Sequence, residues 1–260
     1  MKRILITNDD GYQSPGLLAL KEALMPLGHI VIVAPANEKS ACGHGMTLTR
    51  PLRFIKLDDD FYKLDDGSPT DCIYLSLHAL YEENFKPDLI VSGINIGSNM
   101  GEDVSYSGTA SAAMEGVLHG IPSIAISQVL QDKDYFGFDF SLAKDTIYHL
   151  AKKVLDKGFP LGEREFLNVN IPQISKEQCN GIKITELGIR VYGNDAHLHR
   201  NPRGEEYYWL GLHPLNWEER NNGETSDFNA IMNNFVSITP ISLDFTARNR
   251  LENLQNWILQ

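Results

Sequence analysis

The chain has 260 residues, with 23 Lys and Arg against 34 Asp and Glu, a net charge of −11, and 42% hydrophobic and 22% charged residues. This is the composition of a soluble globular protein, long enough for one large domain or one domain with a smaller appendage and too short for three. The acidic balance, without any Lys/Arg cluster, excludes a nucleic-acid polymer or an anionic membrane surface as partner, because such binding runs on basic charge; a small phosphorylated anion stays open, since a bound cation or a helix N-terminus can hold it.

Residues 4 to 7 (ILIT) and 30 to 34 (IVIVA) are short apolar runs, which suggests strands buried on both faces. Between them Ser14 and Pro15 form an N-cap and N1 pair, Leu17, Leu20, Leu24 and Leu27 keep helical spacing, and Pro26 with Gly28 ends the helix. Residues 46 to 64 break this βαβ rhythm. There TLTRPLRFIKL and FYKL flank Asp58, Asp59 and Asp60, which reads as a hairpin at the sheet edge with a solvated acidic turn. Ser68 to Asp71 (SPTD) read as a capping arrangement before a helix through Tyr81.

The βαβ pattern then returns. It consists of a strand at 89 to 92 (LIVS), a Gly-rich loop from Gly93 to Gly101, a helix from about Thr109 to His119, and a strand at 123 to 127 (SIAIS). A helix over 141 to 157 and a strand over 166 to 171 complete five strands with interleaved helices. The expected fold is a Rossmann-like, open, mostly parallel α/β sheet with helices on both faces. Residues 181 to 193 and 205 to 212 read as further extended strands separated by a polar segment, followed by a strand at 235 to 241 and a helix at 246 to 259. This ribbon and helix have little core of their own, so they must pack on the main domain or on another subunit. The division is therefore 1–180 and 181–260.

Cys42, Cys72 and Cys179 are odd in number and widely spaced, matching neither a disulfide framework nor a CxxC zinc site. They are expected to be reduced thiols. The apolar run near the start is too short for a signal peptide, and no stretch approaches about 18 apolar residues, so a cytoplasmic location is expected.

In open α/β sheets ligands bind beyond the carboxyl ends of the strands. After the first strand comes Asn8-Asp9-Asp10-Gly11, after the second PANEKSACGHG (35 to 45), and after LIVS comes GINIGSNMG (93 to 101), leading into Ser107-Gly108-Thr109. Neighbouring Asp residues on an ideal strand point to opposite faces, so a turn at Gly11 is needed for both to serve one ion. Two close carboxylates resist joint ionisation, and a divalent cation removes the conflict. Oxygen ligands without a nearby His or Cys pair favour Mg²⁺ or Mn²⁺. The glycines fit neither GxGxxG nor GxxxxGK[ST]. Hydroxyls and free N–H groups at Ser107 to Thr109, ahead of a helix, make a phosphate cradle. His44 reads as structural, and His197 and His199 as solvent-exposed. The absence of GxSxG disfavours a serine hydrolase of the α/β-hydrolase type.

Together ILITNDDG (4 to 11), VAPANEKSACGHG (33 to 45), SPTDC (68 to 72), DLIVSGINIGSNMGEDVSYSGTASAAMEG (88 to 116), IPSIAIS (121 to 127) and FVSITPI (235 to 241) resemble the SurE family of metal-dependent 5′/3′-nucleotidases. The resemblance implies hydrolysis of nucleoside 5′- and 3′-monophosphates, and of short polyphosphates, with one Mg²⁺ or Mn²⁺ per subunit. By motif it makes Asp9, Asp10, Ser40 and Asn95 metal ligands; Asp9, Asp10 and Asn95 catalytic; and Asn95, Ser107, Gly108 and Thr109 phosphate-binding. Either aspartate could take the proton of the attacking water. The resemblance also implies a homodimer or homotetramer with exchanged C-terminal elements drawn from 181–260. Ala36 and Cys42 stand where relatives often carry Asp and Thr, beside the ligands rather than among them. Two competing readings are an aspartate-nucleophile phosphatase and a noncatalytic Mg²⁺-dependent nucleotide sensor.

Overall fold

Ile4, Leu5, Ile6, Ile32, Val33 and Ala34 are all buried, and strands apolar on both sides require cover on both faces. In the computed structural model, which describes residues 1–82, 86–130, 139–192, 195–211, 216–220 and 223–259, helices provide that cover. In chain order the elements are β1 (Arg3–Thr7), α1 (Pro15–Leu24), β2 (His29–Pro35), β3 (Arg53–Asp58), β4 (Phe61–Asp65), α2 (Pro69–Ala79), β5 (Leu89–Ile96), α3 (Gly108–Leu118), β6 (Ser123–Gln128) and α4 (Ser141–Lys157). There follow β7 (Glu165–Ile171), β8 (Ile182–Ile184), β9 (Ile189–Val191), β10 (Asp195–Arg200), β11 (Glu206–Gly211), β12 (Asn216–Glu218), α5 (Asp227–Met232), β13 (Val236–Ser242) and α6 (Leu251–Ile258).

The main sheet has nine strands in the order β3-β4-β2-β1-β5-β6-β7-β13-β8. Neighbours from β4 to β7 run parallel, while β3 and β13 pair antiparallel with β4 and β7. α1 and α4 bury Leu17, Leu20, Leu24, Ile147 and Val154 on one face, against Ile4, Ile6, Val91, Ile126 and Val169. On the other face α2 and α3 place Ile73, Leu77 and Ala112 against Leu5, Val33 and Ile90. The expected α/β sheet with helices on both faces is therefore the observed fold. From β1 the chain first moves to β2 on one side and later to β5 on the other. The crevice at the carboxyl ends of β1 and β5 is the point where strand order reverses, the usual ligand position in such sheets.

Several elements differ from the sequence reading. β5 does not end at Ser92. It runs on to Ile96, with a register shift between Ser92 and Asn95 against β6. Gly93 makes this possible: φ is +134°, and a Cβ there would lie 2.2 Å from the Ile126 carbonyl oxygen. Of the stretch read as one strand over 181 to 193, the described residues, which stop at Tyr192, hold two short strands. β8 joins the main sheet beside β13, and β9 pairs with β12. The polar segment between the expected strands is itself a strand, β10, antiparallel to β11. Its side chains over 196–200 are exposed, so polarity is no obstacle there. α5 lacked a periodic signal at six residues, although Ser226 caps it by accepting from the Asn229 amide. The final helix begins at Leu251, later than Thr246.

Other expectations hold. α4 spans Ser141–Lys157 as read, and Ser68 and Asp71 form a reciprocal capping box at the start of α2. The β3–β4 hairpin lies at the sheet edge. Its acidic turn faces solvent, with Lys56 on Asp59 and His29 on Asp60. Cys42, Cys72 and Cys179 are free thiols. Among the described residues no helix is long and apolar enough to cross a membrane.

Candidate functional site

β1 ends at Thr7, and the chain turns at once. Asn8 donates from Nδ2 to the Gly11 carbonyl at 2.9 Å, and Gly11 takes φ +94°. This turn releases Asp9 and Asp10 from strand alternation, as the reading of NDDG required. Asp9 is only 4% exposed. Its Oδ1 accepts a short hydrogen bond from the Thr109 hydroxyl at the start of α3. Gly108 is the residue that lets the carboxylate approach, because a Cβ there would lie 2.7 Å from Asp9 Cβ and 2.9 Å from Oδ2. Asp10 turns toward β5 instead, where its Oδ2 accepts from the Ile96 amide at 3.2 Å.

Burial pushes the Asp9 carboxyl above its usual range, and the Thr109 hydroxyl with the nearby amides of Thr109 and Gly108 pulls it partly back. Asp10 is pushed up to about 7, by burial first and then by the Asp9 charge, with Glu38 adding a smaller push. Among the described residues neither aspartate forms an ion pair with a basic side chain. A buried acid and a half-buried one, near enough for the first to raise the second and without a counter-charge, are what a bound cation would relieve. Among the described residues no three or more His, Cys, Asp and Glu cluster as a metal site. Any ion here would thus combine the two carboxylates with neutral oxygens and water, a donor set suited to Mg²⁺ or Mn²⁺.

Ser40 lies on the loop after β2. The preceding residue, Lys39, donates its amide to the Asp9 carbonyl at 2.7 Å, which brings this loop to β1. Ser40 is exposed, and its hydroxyl donates to Glu38 Oε1 at 2.7 Å. Asn95, buried at the end of β5, donates from Nδ2 to the Gly97 carbonyl at 3.0 Å. Asp9, Gly108 and Thr109 are thus in direct contact. Ser40 and Asn95 are brought to the aspartates through the backbone of Lys39 and Ile96. Ser107 is the N-cap of α3, its Oγ accepting from the Ala110 amide at 3.0 Å.

Sequence reasoning missed Glu38, a third carboxylate close enough to raise Asp10. It also misses the bond from Thr109 to Asp9, since the motif points Thr109 toward phosphate alone. Glu38 could have been noticed as the acid two residues before Ser40. The Thr109 contact joins residues a hundred positions apart and leaves no local signal.

The surrounding loops are tied down. His44 Nε2 meets Glu115 Oε2 at 2.8 Å, and His119 meets the other oxygen at 3.0 Å, so His44 is structural as read. Thr47 bonds Asp71 through both its amide and its hydroxyl. Asp227 of α5 accepts from the Gly101 amide at 2.8 Å. Asn99 donates to Asn170 and Ser127 and accepts at its carbonyl from Asn168 and Asn170. Cys42 is half-buried, and burial with the Asp9 charge raises its thiol, which makes it a poor nucleophile. His199 stacks on Tyr207 in the exposed ribbon, away from these residues. A cavity of about 690 Å³ lies at the opposite end of the sheet, between Gly120–Pro122 and Phe159–Glu165, and holds none of the paired acids.

Comparison with known proteins identifies the family and the fold. The family model described as Survival protein SurE matches residues 4–194. A 5′-nucleotidase SurE from Wolinella succinogenes is 69% identical, covering 99% of this chain and 100% of its own. One from Helicobacter hepaticus is 62% identical over 99% of both chains. The crystal structure of the SurE protein from Aquifex aeolicus superposes with a TM-score of 0.81 at 41% identity, covering 98% of this chain and 99% of that one.

Proposed function

The chain belongs to the SurE family, and from that premise we propose that it is a 5′-nucleotidase, a phosphatase releasing inorganic phosphate from nucleoside 5′-monophosphates in the crevice at β1 and β5. The observation that carries this reading is the seat of Asp9. Its carboxylate rests on the N-terminus of α3, so an ion-binding acid and an anion-binding helix end share one place. Nucleoside 3′-monophosphates and short polyphosphates are further substrates under the same chemistry.

Asp9, Asp10, Ser40 and Asn95 would hold one Mg²⁺ or Mn²⁺ per subunit. Once bound, such an ion polarises a phosphoryl oxygen and acidifies a water for in-line attack. The protein residues do the rest. Ser107 accepts from the Ala110 amide, so its hydroxyl proton is free for a phosphate oxygen. The amides at Gly108 and Thr109 and the dipole of α3 stabilise charge on the equatorial oxygens. Asn95 supplies an amide dipole from the β5 side. Thr109 spends its hydroxyl on Asp9 and fixes that carboxylate. Asp10 is less tightly held than Asp9, and we assign it the proton of the attacking water.

The subunits assemble as a homodimer or homotetramer through 181–260. Supporting this, β11 exposes Tyr208, Trp209 and Leu210, and α6 exposes Leu251, Leu254, Trp257 and Ile258, apolar side chains that a further subunit would cover. The free thiols favour a reducing compartment such as the cytoplasm.

The test is a phosphate-release screen across nucleoside monophosphates with and without Mg²⁺ or Mn²⁺. Release that EDTA abolishes and either ion restores is expected. Nucleotide binding without release would leave the sensor reading, and an acid-stable, base-labile phosphoenzyme would leave the aspartate-nucleophile one.

A further inference from the structure

We propose that Tyr106, with Tyr192 set against it, is the stacking platform for the base of the nucleotide. From Met100 to Gly116 most side chains are buried, yet Tyr106 is 58% exposed, immediately before Ser107. Adjacent Cα atoms are about 3.8 Å apart, so its ring starts at the rim of the phosphate cradle. The backbone of Tyr106 is fixed from both sides. Its amide donates to the Asp103 carbonyl at 3.0 Å, and its carbonyl accepts from Gly43 on the mouth loop at 2.9 Å.

Tyr192 meets the Tyr106 ring edge-to-face, with centroids 6.5 Å apart and planes at 86°. Its own hydroxyl donates to Asp103 Oδ1 at 2.8 Å, while Asp103 Oδ2 holds Arg190 at 2.8 Å. The pair is therefore positioned before any ligand arrives, which limits the entropy lost on binding. An uncovered aromatic ring suits a nucleobase, because every base has a π-face and stacking tolerates differences among bases.

This assignment rests on the nucleotidase reading, and its test separates the two. Full-length wild type, Tyr106→Leu and Tyr106→Phe are assayed at saturating Mg²⁺ with adenosine 5′-monophosphate and with ribose 5-phosphate, which lacks a base. Tyr106→Leu should raise KM for the nucleotide about tenfold, in line with the loss of one stacked base, and leave KM for ribose 5-phosphate within about twofold. Tyr106→Phe should behave as wild type. A parallel rise for both substrates, or no rise for either, overturns the platform. If wild type releases phosphate from neither compound, the nucleotidase reading fails. Calorimetric binding of the same two compounds then decides the platform alone: selective weakening of the nucleotide by Tyr106→Leu supports it, and equal binding overturns it.

Discussion

Under α1 and α4 the sheet presents Ile4, Ile6, Val91, Ile126, Val169 and Ile238, while the strand residues alternating with them on the opposite face include Thr7, Ser92, Ser127, Asn168, Asn170 and Thr239. Both sets are buried. The polar set is continuous across strands, since Asn95 pairs in register with Ser127, Ser127 with Asn170, and Asn170 with Ser237. It bonds the backbone of the loop at Asn99. It is also incompletely satisfied: Ser92 Oγ and Asn168 Oδ1 have no hydrogen-bond partner among the described residues. A buried polar group without a partner costs about 1–3 kcal/mol. The difference teaches that apolar residues on both faces supply stability, while the polar carboxyl end of the second face gives some up to hold the loop at Asn99, between β5 and α3.

The largest effect should come from the functional face. Asp9→Asn is expected to lower kcat/KM by at least about 10²-fold, the loss seen when one transition-state stabilising donor is removed. Because the carboxylate it replaces is buried and raised, the thermal midpoint in metal-free buffer should not fall. Retention of more than roughly a tenth of wild-type activity, against that 10²-fold expectation, would break the contrast.

Leu20→Ala probes the other face. Leu20 is fully buried under the sheet, and its truncation should cost about 2–5 kcal/mol in urea unfolding. Turnover per folded molecule should stay as in wild type. A fall in turnover comparable to that of Asp9→Asn would mean that the faces are not separable.

A smaller effect is expected for Thr109→Val, which keeps the shape and removes the hydroxyl. The lost charge-assisted hydrogen bond to Asp9 should weaken Mn²⁺ binding about tenfold. If vanadate affinity falls and Mn²⁺ affinity does not, Thr109 serves the phosphate directly, as the sequence alone had suggested.

The smallest effect is in pH dependence. Asp10 has a folded-state pKa raised from 3.8 to about 7, so between these values the native state binds more protons than the unfolded chain. Stability of the metal-free protein should therefore decline as pH rises through that window and level off above it. Asp10→Asn should flatten the slope, as urea unfolding across the window would show, and an unchanged slope would assign it to other groups.

Local signals gave much of the frame. The apolar runs of β1 and β2, the capping box at Ser68 and Asp71, and the amphipathic α4 each depend on residues near in sequence, and each was legible. What stayed hidden depends on distant partners. β5 passes Gly93 because Ile126 on the next strand leaves no room for a side chain. β8 separates from β9 where Gly188 donates to Asp227 of α5, and six residues are too few to show a helical period. At the candidate site, NDDG and SGT marked two segments that the fold brings together. The seating of Asp9 on Thr109 and the charge of Glu38 on Asp10 became visible only once the fold had joined β1, β2 and α3.

The central claim is that the carboxylates after β1 form the ion centre on which hydrolysis depends. Counting Mn²⁺ bound per chain by electron paramagnetic resonance, with phosphate release from adenosine 5′-monophosphate followed on the same samples, tests it most directly. The account predicts one tightly bound Mn²⁺ per wild-type chain, with release rising in proportion to occupancy, and neither in Asp9→Asn. Equal Mn²⁺ binding by the variant, or undiminished release from metal-free wild type, would contradict it.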